Sequence, residues 1–115
     1  MFRSSPFLRC VVACVLTTLA WGPGVKAEET PLQFESDIRP ILKEHCWHCH
    51  GEEEKVEGQL DLRLVRFIQK GGETGPAVVP GDAAASLIVQ KIESGEMPPS
   101  EKKLPADQLA KLKAW

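Results

Sequence analysis

The chain has 115 residues, 14 of them basic and 16 acidic, so its formal net charge is −2. A net acidic domain is a poor partner for nucleic acid or for an anionic membrane surface. So short a chain holds one small domain with a modest core, and such domains often depend on a disulfide, a metal or a cofactor.

Residues 1–27 have the three-part pattern of a secretory signal peptide. Two arginines precede an apolar run from Cys10 to Trp21, and a Gly-Pro-Gly break leads to a Val-Lys-Ala sequence ending at Ala27. The run is shorter than the roughly 20 residues of a membrane span. We therefore predict cleavage after Ala27 and an exported, periplasmic or extracytoplasmic protein without a stable membrane span. An uncleaved anchor is the alternative.

The remaining chain predicts an all-α domain over residues 34–115, preceded by a short leader at residues 28–33. Apolar residues spaced three and four apart from Phe34 onward indicate an amphipathic helix that runs into a cluster of cysteines and histidines. Ser36 or Asp37 is suited to cap this helix at its N-terminus. Strand signals are absent.

Three further helices are expected. The second lies within residues 59–70, with Gly71 as its stop signal, and the third follows Asp82 as its N-cap. The last begins near Pro105 and reaches Trp115 in the middle of its pattern. This predicts that the last helix is truncated and that the chain is the front of something longer.

The stretch "EHCWHCHGEEE" carries the chemistry. Removal of residues 1–27 leaves Cys46 and Cys49 as the only cysteines, too few for a framework of several disulfides. A zinc site needs about four ligands, and no cysteine or histidine follows His50. A dithiol redox site needs its cysteines at a helix N-terminus, whereas this pair follows a helix. A plain disulfide is the simplest remaining alternative.

The order Cys46-Trp-His-Cys49-His50 favours a covalent haem site over these alternatives. Two thiols three residues apart can form thioether bonds to the two vinyl groups of one haem, and the next histidine then serves as the proximal iron ligand. Export agrees with this interpretation, because covalent haem attachment takes place outside the cytoplasm.

Met97 is the candidate for the distal iron ligand. It is the only methionine after residue 27, and it lies in a loop stiffened by the two prolines that follow it. Ordinary core filling is the alternative role for a methionine. His45 and His48 compete on chemistry alone, but both are tied close to His50. We expect His45 to pack at the helix end and His48 to face solvent.

The surroundings of the haem can also be predicted. A carbonyl of the Gly75-Pro76 loop is the expected acceptor for the second ring nitrogen of His50. The position of Trp47, at an edge of the haem or on the surface, stays open. The haem edge is expected to pack against six apolar side chains: Phe34, Ile38, Leu42, Phe67, Leu87 and Leu112.

Three stretches, "FESDIRPILKEHCWHCHG", "LDLRLVRFIQKGGETGPAVVPGDAAASLIVQKI" and "EMPP…KLPADQLAKLKAW", resemble the planctomycete-type cytochrome c domain, a branch of the class I cytochrome c-like family. The resemblance extends from Pro31 to Trp115. It implies an all-α fold whose N- and C-terminal helices cross, with haem c as the cofactor. It also implies that Cys46 and Cys49 carry the haem, with His50 as the proximal and Met97 as the distal ligand.

Electron transfer by Fe(II)/Fe(III) cycling, without enzymatic activity, is the predicted function. A haem-dependent sensor or peroxidase-like module is the alternative, with Glu93 and Glu96 as the acidic groups near Met97. A disulfide- or zinc-stabilised interaction domain is a third possibility. The redox partner is left open: four lysines could dock an acidic partner or form the solvated face of the last helix, namely Lys102, Lys103, Lys111 and Lys113.

Overall fold

The structure is a computed structural model that describes residues 30–115, so the predicted signal peptide lies outside the described residues. Short helices joined by turns make up this part of the chain. Within residues 30–115 no β-strand forms, and an isolated bridge pairs Gly72 with Gly75. The predicted all-α class is confirmed. None of the described helices combines the length and the apolar character needed to cross a membrane.

The first helical segment begins with a wide turn, Phe34–Ile38, and continues as α1, Arg39–His45. The Asp37 carboxylate accepts hydrogen bonds from the Gln33 backbone N–H (2.7 Å) and the Ser36 hydroxyl (2.9 Å). These bonds satisfy a free donor at the helix start and hold the pKa of Asp37 below its usual range. The helix leads directly into the cysteines, as the apolar spacing predicts.

The second helix is shorter than predicted. It is α2, Val65–Lys70, and the preceding Leu64 has an extended backbone. Gly71 ends the helix as expected: its backbone N–H donates to the carbonyls of Phe67 and Ile68, and its φ of 77° is favourable for glycine alone.

The third helix is α3, Leu87–Glu93, and the prediction that Asp82 caps it is wrong. The Asp82 carboxylate accepts a hydrogen bond from the Ala85 N–H (2.9 Å) and thereby caps a turn that precedes α3. The cause is the buried Ser86, whose hydroxyl accepts from the Val79 N–H (2.9 Å) and donates to the Asp82 carbonyl (2.8 Å). These bonds curl the chain around Ser86, so the helix begins after it.

The last helix, α4, Ala106–Ala114, packs on the first helical segment. The rings of Phe34 and Trp115 lie 5.5 Å apart, and Leu112 contributes to the core from the same side. The two terminal helices that the resemblance expects to cross are therefore in contact. The buried core consists of Ile38, Ile41, Leu42, Trp47, Leu62, Ile68 and Leu112.

We expect Gly71→Ala to lower the free energy of unfolding by about 2–4 kcal/mol. A Cβ atom at this position would lie 2.1 Å from the Gly75 carbonyl oxygen, in addition to the strain of the positive φ. Gly81→Ala is the matched control, because its φ is +78° and no heavy atom lies within 4 Å of its Cβ position. Chemical denaturation of both variants measures the difference. Equal losses of unfolding free energy in the two variants would show that the structure relieves the clash at position 71 without cost.

Candidate haem site

The residues predicted to bind haem line the same cavity, whose volume is about 780 Å³. Cys46, Cys49 and His50 line it where α1 ends, and Met97 lines it from the loop between α3 and α4. The folded chain therefore brings Met97, which is distant in sequence, to the cavity that contains the cysteines and His50.

The cysteine segment, residues 46–50, continues from α1 through two backbone hydrogen bonds. The Cys46 N–H donates to the Leu42 carbonyl (2.8 Å), and the His50 N–H donates to the Cys46 carbonyl (2.9 Å). The second bond folds the segment into one helical turn. The two cysteines are half-buried free thiols.

The His50 ring faces a backbone carbonyl, but a different one from that predicted. Its Nδ1 lies 3.2 Å from the Leu60 carbonyl oxygen, and not at the Gly75-Pro76 loop. The Gly75 carbonyl accepts the Gly72 N–H instead (3.1 Å). Because a carbonyl only accepts, Nδ1 is the protonated nitrogen of His50, and the lone pair of Nε2 is available to a metal.

Burial, together with the neighbouring Cys49 thiol, raises the pKa of the Cys46 thiol to about 11. Cys46 is therefore a neutral thiol at pH 7. The reactive cysteine of a dithiol oxidoreductase has a lowered pKa and is largely a thiolate. The environment of Cys46 thus disfavours the dithiol redox alternative.

The three histidines of the cluster have different surroundings. The His45 side chain is 3% exposed and lines the cavity, and its Nε2 has no hydrogen-bond partner within the described chain. The His48 side chain is 83% exposed and lies 3.5 Å from Glu53. Both agree with the expected positions at the helix end and in solvent. Among residues 30–115, no group of three or more His, Cys, Asp or Glu side chains is arranged to hold a metal ion.

The apolar wall of the cavity differs from the prediction. Of the six side chains expected at the haem edge, Leu87 is the one that lines the cavity. Ile38, Leu42 and Leu112 belong to the core between the first and last helices. The remaining apolar lining comes from Leu60, Leu62, Ala77, Ile88, Ile92, Met97 and Leu104.

Hydrogen bonds hold the loop that carries Met97. The Met97 N–H donates to the Lys91 carbonyl (2.9 Å) at the end of α3. The Lys103 ammonium donates to the carbonyls of Gly95 and Pro98, both at 2.8 Å, on either side of Met97. The Met97 side chain is 38% exposed. A weak thioether ligand needs such external support for its position.

The lysines weighed as a docking surface mostly have internal partners. Besides Lys103, Lys102 pairs with Glu44 and Lys113 with Glu93, each at 2.8 Å. The role of Lys103 is one that the sequence analysis missed, because a backbone acceptor leaves no sequence signal.

The family model of planctomycete cytochrome C matches residues 46–101, from Cys46 through the Met97 loop. This part of the chain belongs to that family. The match to the planctomycete cytochrome C family supports the interpretation of this region as a c-type cytochrome domain, and it implies haem c as the cofactor. No curated protein and no solved structure matches the chain.

The residues of this cytochrome C domain fit the implied group. Two free thiols stand three residues apart, the next histidine offers an Nε2 lone pair, and apolar side chains line much of the cavity. Cys46, Cys49 and His50 would hold the haem, which supplies one-electron iron chemistry when bound.

We expect Lys103→Ala to accelerate hydrogen exchange of the Met97 amide about three- to tenfold, because the loop loses two hydrogen bonds, one on each side of that residue. Lys102→Ala is the matched control: it removes the same charge from the adjacent residue, whose partner is Glu44 and not the loop. Exchange measured by mass spectrometry or NMR compares the two variants. The same exchange rate in both would contradict a role of Lys103 in holding the loop.

Proposed function

We propose that the chain is an exported c-type cytochrome domain that transfers electrons through a covalently bound haem. Cys46 and Cys49 attach the haem, His50 is the proximal iron ligand and Met97 is the distal one. The observation that carries this proposal is the shared cavity, because all four side chains line it although Met97 comes from a distant loop.

The hydrogen bond of His50 supports its role as the proximal ligand. With Nδ1–H donating to the Leu60 carbonyl, the ring is held in one tautomer and its Nε2 is the more basic nitrogen. The hydrogen bond from the His50 N–H to the Cys46 carbonyl closes a single turn that contains both thiols and the histidine, so the proposed attachment and ligand residues stand together.

Electron transfer is favoured over the sensor or peroxidase-like alternative by the state of the acidic groups near Met97. Glu93 pairs with Lys113 and does not line the cavity. Glu96 does line it, but a hydrogen bond from the Lys91 ammonium holds the pKa of Glu96 below its usual range. An ionised, paired carboxylate is poorly suited to act as a general acid. With both axial positions filled by the chain, the iron would exchange electrons without binding a substrate.

Covalent attachment is tested by a haem stain after denaturing electrophoresis. In a host that matures c-type cytochromes, the wild-type protein should stain. The double variant Cys46→Ser/Cys49→Ser and a variant lacking residues 1–27 should not, because the first lacks both thiols and the second is not exported. His48→Ala, which changes an exposed residue of the same motif, should stain like the wild type. An unstained wild-type protein would overturn the proposal.

The axial ligands are tested by absorption spectroscopy of the ferric protein. Met97→Ala should abolish the sulfur-to-iron charge-transfer band and open the iron to carbon monoxide in the ferrous state, since no other methionine follows residue 27. His50→Ala should change the low-spin spectrum itself. Val79→Ala, which shortens another exposed apolar side chain outside the cavity, should leave the spectrum unchanged. A band that persists in Met97→Ala would exclude Met97 as the ligand.

A further inference from the structure

We propose that Trp47, between the two cysteines, is a positioning residue for His50, and this inference rests on the proposed role of His50 as the proximal ligand. Trp47 is 7% exposed and belongs to the core. The sequence left its position open, and neither haem attachment nor iron ligation requires a tryptophan there.

Three hydrogen bonds join the cysteine segment to residues 60–62. The Trp47 indole N–H donates to the Leu62 carbonyl (3.1 Å), and the Leu62 N–H donates to the His50 carbonyl (2.9 Å). His50 Nδ1–H donates to the Leu60 carbonyl (3.2 Å). Leu62 is thus bonded through both of its backbone groups, and its position determines where the nearby Leu60 carbonyl meets the His50 ring.

The Trp47 bond is the one in this group that a substitution can remove without touching a ligand. The acceptor residue, Leu62, is 2% exposed, so water cannot easily replace the indole donor. Without that donor, Leu62 is held on one side alone. Residues 60–62 then gain freedom relative to the cysteine segment, and the Leu60 carbonyl is less firmly placed.

The outer face of the indole is anchored as well. The Arg39 guanidinium lies 5.4 Å and the Lys43 ammonium 6.0 Å from the ring centroid of Trp47, and both residues belong to α1. Cations at this range are attracted by the face of an aromatic ring. Trp47 therefore connects α1 to residues 60–62.

The consequence for a bound iron follows from the His50 hydrogen bond. A firm N–H···O=C bond makes the imidazole a stronger electron donor, which favours ferric over ferrous iron. Trp47→Phe keeps an aromatic ring under Arg39 and Lys43 but removes the donor. In the haem-loaded protein this should shift the equilibrium toward ferrous iron by up to about tenfold, a rise in midpoint potential of up to about 59 mV for a one-electron couple.

The test compares Trp47→Phe with Trp115→Phe in the full haem-loaded chain. Trp115 is 38% exposed and its ring packs on Phe34, away from residues 60–62. Redox titration should show the raised potential in Trp47→Phe alone. Hydrogen exchange of the Leu62 amide, a readout independent of electron transfer, should accelerate about tenfold in the same variant.

The outcomes separate this inference from the proposed function. If His50→Ala changes the spectrum but Trp47→Phe matches Trp115→Phe in potential and in Leu62 exchange, the inference is wrong and the ligand assignment stands. If His50→Ala leaves the spectrum unchanged, the ligand assignment fails and the inference with it.

A measurement on the wild-type protein covers the case in which Trp47→Phe does not accumulate. The indole proton of Trp47 should exchange at least about tenfold more slowly than that of Trp115, because it is bonded to a buried carbonyl. Equal, fast exchange of the two indole protons would overturn the inference without any variant.

Discussion

The hydrogen bonds between the cysteine segment and residues 60–62 are the contact on which the site depends. They link a helical turn to a stretch that lacks regular structure, and they include both the His50 ring and the His50 backbone carbonyl. Leu62, at the centre of this contact, is also part of the hydrophobic core. The orientation of the His50 ring is thus coupled to the packing of the core, so a change that loosens the core is expected to move the ring as well.

The Met97 loop is held by a different kind of contact. Met97 lies on an exposed loop, and the bonds that hold this loop come from a helix-end carbonyl and from the solvent-exposed Lys103. Surface bonds of a lysine ammonium contribute less than buried ones, because water competes for the same groups. The structure therefore gives His50 a buried support and Met97 a weaker, exposed one.

Local sequence signals predicted those features that local physics determines. The apolar spacing of Phe34, Ile38 and Leu42 gave the first helix, and Gly71 marked the end of the second, because helix periodicity and a positive φ are properties of short stretches. The candidate haem-binding residues followed from chemistry and spacing, and in the structure they line one cavity. The predicted start of α3 was wrong, because the true start depends on hydrogen bonds that Ser86 makes to residues earlier in the loop. The predicted hydrogen-bond acceptor for the His50 ring was wrong for a similar reason. Any backbone carbonyl can accept a hydrogen bond, so the sequence does not indicate which carbonyl does.

The unequal support of His50 and Met97 has a consequence for the behaviour of the site. Segments with few buried contacts and exposed hydrogen bonds open at a lower free energy than core elements. The loop around Met97 meets that description, whereas the cysteine segment is tied to Leu62 and Trp47 in the core. The Met97 loop should therefore open before the cysteine segment does. A haem bound as proposed would stay attached through Cys46, Cys49 and His50 during such loop fluctuations, and Met97 alone would leave and return.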